Sequence, residues 1–284
     1  MNAPPSGQAV VAGVVGWPVK HSRSPFLHGY WLQQHAIDGI YAPFPVRPHD
    51  FNTVIRGLAA AGLAGLNITL PHKRTAFDLC DSADDTAQML GAANTLVFTI
   101  DGLIHGKNTD VFGFLENLRG ADDFATNDPA VILGSGGAAR AVILGLRRHG
   151  FQTIRLTSRT RAKAEAAHEA LGGAMEIVDW SDRHAMLAGA GLVVNTTVLG
   201  MSGQPPLDLK LDDLPAGALV NDIVYTPLET PLLAAARARG NPALDGLGML
   251  LHQGRPAFEA WFGIDPVVGD EVRQAVAENL SGVA

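Results

Sequence analysis

Lys73 and Asp110 stand in short runs of hydroxyl and amide side chains. Lys73 closes Asn67-Ile68-Thr69-Leu70-Pro71-His72-Lys73, Asn94 lies in Gly91-Ala92-Ala93-Asn94-Thr95, and Asp110 ends Asn108-Thr109-Asp110. A lysine paired with an aspartate can pass a proton to or from a substrate hydroxyl while the carboxylate orients the amine. Spacing alone does not bring the two together, and most lysines are solvated surface charges, so both readings stand. Upstream, His21-Ser22-Arg23-Ser24-Pro25 offers two hydroxyls within three residues. Two hydroxyls and nearby N–H groups can hold a carboxylate. The same residues read equally well as an ordinary turn before a helix, with Ser24 as N-cap and Pro25 as the first helical residue.

A second kind of chemistry is written in Val131-Ile132-Leu133-Gly134-Ser135-Gly136-Gly137-Ala138-Ala139-Arg140. An apolar strand, a GxGxxA turn and an Ala-rich helix form the layout that holds a dinucleotide pyrophosphate. Gly134 makes the turn, Gly136 admits the phosphates, and Ala139 allows close helix packing. The helix N-terminus presents free N–H groups to the anion. The next strand, Thr153–Thr157, runs into Ser158-Arg159-Thr160, with Arg161 and Lys163 beyond. An acidic residue there would bind the ribose hydroxyl of NAD; a basic cluster suits the 2′-phosphate of NADP.

Other chemistries find little support. The ten histidines form no HExxH and no Cys/His cluster, so no metal is expected. There is no GxSxG motif, and the single cysteine, Cys80, has no evident histidine partner and reads as a core residue. A formal net charge of −7 argues against nucleic acid and anionic lipid as partners. Residues 1–19 lack the basic start of a signal peptide, and no run reaches the roughly 18 apolar residues of a membrane span. With one cysteine and no disulfide, a cytoplasmic location is expected.

The elements that must position these residues alternate. Strands are expected at Ala9–Gly16, Tyr41–Val46 and Gly65–Thr69, with helices at Phe26–His35 and Asp50–Ala61, from about Pro71 to Cys80, and over Asp84–Gly91. Thr95–Ile100 and Leu103–Gly106 flank Asp101-Gly102, a hairpin signal. After the Gly-rich turn come helix 160–171, strand 175–178, helix 181–188, strands 192–195 and 218–222, and helix 229–239. Two helices, Met249–Gly263 and Pro266–Leu280, close the chain, and Met1–Gln8 reads as a flexible tail. The pattern is that of a doubly wound α/β protein. A length of 284 residues suits two domains.

Taken in order, these segments resemble the shikimate dehydrogenase family from about Val11 to Gly263. Gly16–Pro25, Asn67–Lys73, Gly91–Thr95, Asn108–Asp110, Leu133–Arg140 and Ser158–Thr160 carry the likeness. Asn195–Met201, Asp222–Pro227 and Asp245–Gln253 complete the series. The resemblance implies a discontinuous substrate domain, residues 1–110 plus 246–284, of three αβα layers around a mainly parallel sheet. It implies a Rossmann-type NADP domain over 111–245, with a cleft between the two. Ser22 and Ser24 would hold the substrate carboxylate, with Tyr225 nearby. Thr69, Lys73, Asn94, Asp110 and Gln253 would contact ring hydroxyls, Lys73 and Asp110 being catalytic. Gly134, Gly136, Gly137, Ala138, Ser158, Arg159, Thr160 and Lys163 would bind NADP, and Val224, Gly246 and Met249 would flank the nicotinamide.

The implied reaction is NADPH-dependent reduction of 3-dehydroshikimate to shikimate. A quinate or dual-specificity enzyme of the same fold is the alternative, and a non-catalytic module binding NADP or a ring acid is a remoter one. Three residues depart from the family pattern: Gly29 and Ser158, where Asn is usual, and Val111, where Gly is usual. Monomer and homodimer are both compatible with the sequence.

Overall fold

The computed structural model describes residues 4–121 and 126–282. It divides into two units, one formed by the chain up to Thr109 and again from Gln253 onward, the other by Asp110–His252. The first contains β1 (Val10–Gly16), α1 (Ser24–Gln34), β2 (Gly39–Pro45), α2 (Phe51–Ala60), β3 (Gly65–Ile68), α3 (Lys73–Leu79), β4 (Ser82–Ala83), α4 (Asp85–Leu90), β5 (Thr95–Phe98) and β6 (Ile104–Lys107). Its strands lie in the order β2-β1-β3-β5-β6-β4. β1 pairs in parallel with β2 and β3, whereas β5 runs antiparallel to β3 and β6. The apolar run Val10–Gly16 suits a strand with neighbours on both edges and cover on both faces. Gly16 ends it for a steric reason: a Cβ there would lie 2.5 Å from Thr69 Cγ2. That close approach sets the turn after β1 beside the end of β3.

The second unit contains α5 (Asp110–Arg119), β7 (Ala130–Leu133), α6 (Gly137–His149), β8 (Ile154–Thr157), α7 (Arg161–Leu171), β9 (Met175–Val178), β10 (Leu192–Asn195), β11 (Leu219–Asp222), α8 (Pro231–Ala238) and β12 (Ala243–Leu244). Every strand pair is parallel, in the order β12-β11-β10-β7-β8-β9. Counted from β7 this is the 3-2-1-4-5-6 arrangement of dinucleotide-binding sheets, whose order reverses between β7 and β10. One face is filled by Phe114, Ile132, Val142, Leu146 and Leu156, the other by Leu133, Val193, Leu214, Val220 and Leu233.

The unit boundary falls within α9 (Leu247–Phe262), and α10 (Asp270–Ser281) follows. In the first unit, Val15, Phe51, Ile55 and Leu66 fill one cluster. A separate aromatic cluster joins α1 to the later half of α9, with Trp31 edge-on to Phe258 at 5.4 Å. Trp261 Nε1 donates to Leu96 O at 3.1 Å, tying α9 to β5.

Some expectations are corrected. Residues 181–188 form no α-helix but two short 3-10 turns, Trp180–Asp182 and Ala185–Leu187. Arg23, not Ser24, is the N-cap of α1, and no side chain closes that cap. β4 and β12, two residues each, escape any periodicity argument. The expected tail is held from Ser6, whose N and Oγ both donate to the Asp38 carboxylate; residues 1–3 of it lie outside the described residues. Among the described residues no helix is long and apolar enough to cross a membrane.

Candidate active site

In the first unit the polar residues gather where β1 and β3 end. Ser22 Oγ accepts from Ser24 N at 3.3 Å, the turn hydrogen bond that the sequence allows. Ser24 begins α1 and is 7% exposed. Thr69 N donates to Val15 O at 2.9 Å, and Thr69 O accepts from His72 N at 3.0 Å, so a tight turn delivers the chain into α3. His72 is buried; its ring is hydrogen-bonded to Val46 O at 2.9 Å and stacks on Phe51 at 4.7 Å. Burial, opposed by the bond to Val46, lowers its pKa, so the ring stays neutral. That anchor fixes the backbone of Lys73, the first residue of α3 and half-buried. Lys73 O in turn accepts from Ala93 N at 2.9 Å, bringing the lysine segment against that of Asn94.

Asn94 is buried, its Nδ2 donating to Thr109 Oγ1 at 3.0 Å and its Oδ1 accepting from Thr109 N at 2.9 Å. Two residues that the sequence reading left without a role connect this group. Tyr41 O–H donates to Asn67 Oδ1 at 2.6 Å, and Asn67 Nδ2 donates to Thr95 Oγ1 at 3.1 Å. Ser22, Ser24, Thr69, Lys73, Asn94 and Gln253 thus belong to the first unit, and Asp110 and Tyr225 to the second. Asp110 opens α5 and is 7% exposed; Tyr225 and Gln253 are half-buried.

The second unit supplies the turn after β7. Gly134 has φ +109°, and a Cβ there would lie 2.6 Å from Thr196 Oγ1, so only glycine fits. At Gly136 and Gly137 a Cβ would meet nothing within 4 Å. Gly136 caps α6 without a side-chain hydrogen bond, leaving the helix N–H groups directed at open space. Ala138 is half-buried and Ala139 fully buried against the sheet. Ser158, one of the departures, hydrogen-bonds Ser135 Oγ at 3.0 Å, tying the glycine turn to the end of β8. Arg161, which the sequence grouped with the free cations, pairs with Glu165 at 2.8 Å and Asp179 at 2.7 Å. Arg159, Thr160 and Lys163 are exposed, and the two cations have no acidic partner among the described residues. An open glycine cradle beside unpaired cations fits a phosphorylated dinucleotide.

Asp222 ends β11 fully buried and receives three donors: Asn195 Nδ2 at 2.9 Å, Val224 N at 3.1 Å and Thr230 Oγ1 at 2.8 Å. Asn195 Oδ1 also accepts from Thr197 N at 3.0 Å, so one carboxylate fixes the loops after β10 and β11. A Cβ on Gly246 would lie 2.1 Å from Ile223 O, and Gly246 N donates to Val224 O at 3.3 Å. Two residues expected to flank the nicotinamide are therefore neighbours; the third, Met249, packs into the core of this unit.

Burial raises Asp222 to about 6 against the pull of its donors. The native protein then holds a proton where the unfolded chain has lost it, so stability falls as pH rises from about 4 to about 6. Asp222→Asn should gain on the wild type across that window by up to about 3 kcal/mol. Urea denaturation at pH 4.5 and 7 checks this, and an unchanged gap between the two proteins refutes it.

Gly29 lies on the exposed side of α1 with open space around it, and Val111 is buried in α5. The Cys80 thiol is pushed up to about 11, chiefly by burial, and is no nucleophile at neutral pH.

A parallel sheet with an open glycine turn and a cationic strand end, in the same chain as a unit of clustered hydroxyls, amides and a lysine, defines a nicotinamide-dinucleotide oxidoreductase. Residues 14–96 match the shikimate dehydrogenase substrate binding domain, and residues 246–269 the shikimate 5′-dehydrogenase C-terminal domain. The shikimate dehydrogenase (NADP(+)) of Paramagnetospirillum magneticum is 54% identical over 95% of this chain and 99% of its own. A Thermus thermophilus shikimate 5-dehydrogenase solved with NADP(H) and shikimate aligns with a TM-score of 0.83, at 31% identity over 97% of this chain and 100% of its own. Quinate dehydrogenase from Corynebacterium glutamicum, solved with NAD, aligns at 0.86, with 32% identity over 95% of this chain and 99% of its own. This chain belongs to the shikimate dehydrogenase family.

Proposed function

We propose that the protein reduces 3-dehydroshikimate reversibly to shikimate with NADPH, using Lys73 and Asp110 for proton transfer. The observation carrying this reading is the placement of Ser22, Ser24, Lys73 and Asn94 at one end of the central strands β1, β3 and β5 of the first sheet, in a chain whose second unit ends β8 in unpaired cations. Ser22 and Ser24 hold the ring carboxylate, with Tyr225; Thr69, Asn94 and Gln253 hold ring hydroxyls. Gly134, Gly136, Gly137, Ala138 and Ser158–Thr160 with Lys163 hold NADP, and Val224, Gly246 and Met249 border its nicotinamide, which supplies the hydride when bound. Negative charge then develops on the former carbonyl oxygen. The Lys73 ammonium neutralises it by giving up a proton, with Asp110 as its partner in the proton transfer. On this reading the first unit binds substrate and the second NADP, in the cytoplasm.

Reduced-nicotinamide absorbance with shikimate or quinate, each with NADP or NAD, tests the proposal. Turnover with shikimate and NADP supports it. Preference for quinate or NAD moves the specificity, and silence in all four overturns the enzyme reading. Arg159→Ala separates the cofactor assignment from the rest. Losing a charge-assisted bond to the 2′-phosphate should weaken NADP roughly tenfold or more and leave NAD nearly unchanged. Equal weakening of both cofactors would refute the 2′-phosphate role.

A further inference from the structure

Asn195 ends β10 fully buried, and every hydrogen-bonding position of its amide is used. Its Nδ2 donates to Asp222 Oδ1 at 2.9 Å and to Leu199 O at 3.1 Å. Its Oδ1 accepts from Thr197 N at 3.0 Å and from Thr197 Oγ1 at 2.7 Å. A backbone N–H can only donate, so the orientation of this amide is fixed. Thr197 Oγ1 accepts in turn from Leu199 N at 3.1 Å, which closes the start of the loop on itself. Between them, Thr196 donates from both N and Oγ1 to Leu133 O, at 2.9 and 2.7 Å, one residue before the glycine turn. On the other side, Asp222 Oδ1 takes Val224 N at 3.1 Å, and Ser202 N donates to Thr226 O at 2.8 Å. The ends of β7, β10 and β11 are thus tied together where the strand order reverses. Sheets of this type hold their ligands at that place.

Neither Asn195 nor Asp222 is among the residues assigned to the cofactor. What they order is backbone, Thr196–Leu199 after β10 and Ile223–Val224 after β11. A carboxylate buried without a cation among the described residues is costly to stability, so its place is explained by the loops it orders. Resting on the functional reading above, in which Val224 borders the nicotinamide, we propose that Asn195 and Asp222 are positioning residues for the nicotinamide half of NADP. They act through the two loops and touch no part of the cofactor themselves. The adenosine half is held elsewhere, by Ser158–Thr160 and Lys163 after β8, and β8 lies on the far side of β7 from β10. No hydrogen bond of either side chain reaches that strand end, so the two halves of NADP should respond differently when this node is broken.

Asn195→Ala deletes all four bonds of the amide. In binding titrations its NADP dissociation constant should rise about tenfold. That of adenosine 2′,5′-bisphosphate, which carries the 2′-phosphate and no nicotinamide, should stay within about twofold of wild type. Turnover of shikimate should fall about tenfold or more, because the reacting ring is displaced, with the shikimate KM within about twofold. Thr197→Val breaks two bonds inside the loop and leaves the sheet intact. It should move the same quantities the same way by about threefold, which keeps the test open if Asn195→Ala folds poorly. Asp222→Asn keeps an acceptor for Asn195 and Val224, and should bind NADP within about twofold of wild type. Equal weakening of NADP and the bisphosphate would mark a merely structural role and overturn the proposal. An unchanged NADP constant in Asn195→Ala and Thr197→Val overturns it too, as does an Asp222→Asn protein as weak as Asn195→Ala. Wild-type protein that binds NADP but turns over no shikimate brings down the functional reading, and the titrations then still decide this inference. An active wild type whose variants show no split between NADP and the bisphosphate brings down this inference alone.

Discussion

Lys73→Ala should lower turnover of shikimate by roughly 10²–10⁴-fold, the usual cost of losing a placed acid or base, while NADP binding persists. The two readouts separate because the lysine lies in the first unit and the glycine turn in the second. The effect is large because the amine is placed with little freedom in its backbone. His72, held by Val46 O and Phe51, fixes the start of α3 directly before it. Lys73→Arg sharpens the test. It keeps a positive charge but not a proton that can be released near neutral pH, so it should remain far below wild type. Steady-state kcat and an NADP dissociation constant for both variants check this. Near-normal turnover in Lys73→Ala would remove the residue from the mechanism.

His28→Phe should flatten the acid limb of the stability profile. His28 is fully buried, stacked on Tyr41, and surrounded by Trp31, Phe258 and Trp261 at centroid distances of 5.5, 5.8 and 5.8 Å. Neither ring nitrogen has a hydrogen-bond partner among the described residues. Burial pushes its pKa down to about 3, so the native ring stays neutral in weak acid while the unfolded chain takes up a proton near 6.5. The unfolded state binds more protons throughout that window, so stability falls as pH drops from about 6.5 towards 3. Between pH 7.5 and 4.5 this one group should cost the wild type about 3 kcal/mol more than His28→Phe, which keeps an aromatic face on Tyr41. Urea denaturation at the two pH values measures it. Parallel profiles for the two proteins would show that His28 is not kept neutral by the fold.

The sequence revealed features whose cause is local. Gly134 to Ala139 is legible because a positive φ and close packing each demand particular residues within one turn. Ser22 and Ser24 are legible as paired hydroxyls next to a proline, though their cap position is off by one residue. What escaped notice is non-local. Tyr41 has strand-forming character and nothing else to mark it, and its partner Asn67 is 26 residues away. Asn67 stood in the lysine segment, yet its donors and acceptors come from three other strands and loops. Asp222 looked like one letter of a motif; only the sheet shows that it gathers donors from Asn195 and Thr230. Residues 181–188 carry apolar spacing close to helical, but Met186 and Leu187 reach the core together from a single three-residue 3-10 turn. The exposed arginines looked equivalent until Glu165 and Asp179 took one of them.

The contact between Trp261 and Leu96, and the seating of Phe258 on Trp31, also set an order of events during synthesis. The first unit is interrupted by Asp110–His252 and cannot close its aromatic cluster until that insertion has been translated. Until then α1 exposes the apolar face of Leu27 and Trp31, and β5 lacks its tryptophan. The inserted unit, in contrast, builds its whole parallel sheet from one uninterrupted stretch of chain. A nascent chain stalled before α9 therefore carries both sheets with all their strands, but the first still lacks the helix that covers it, and that bare face is the surface for a chaperone to cover.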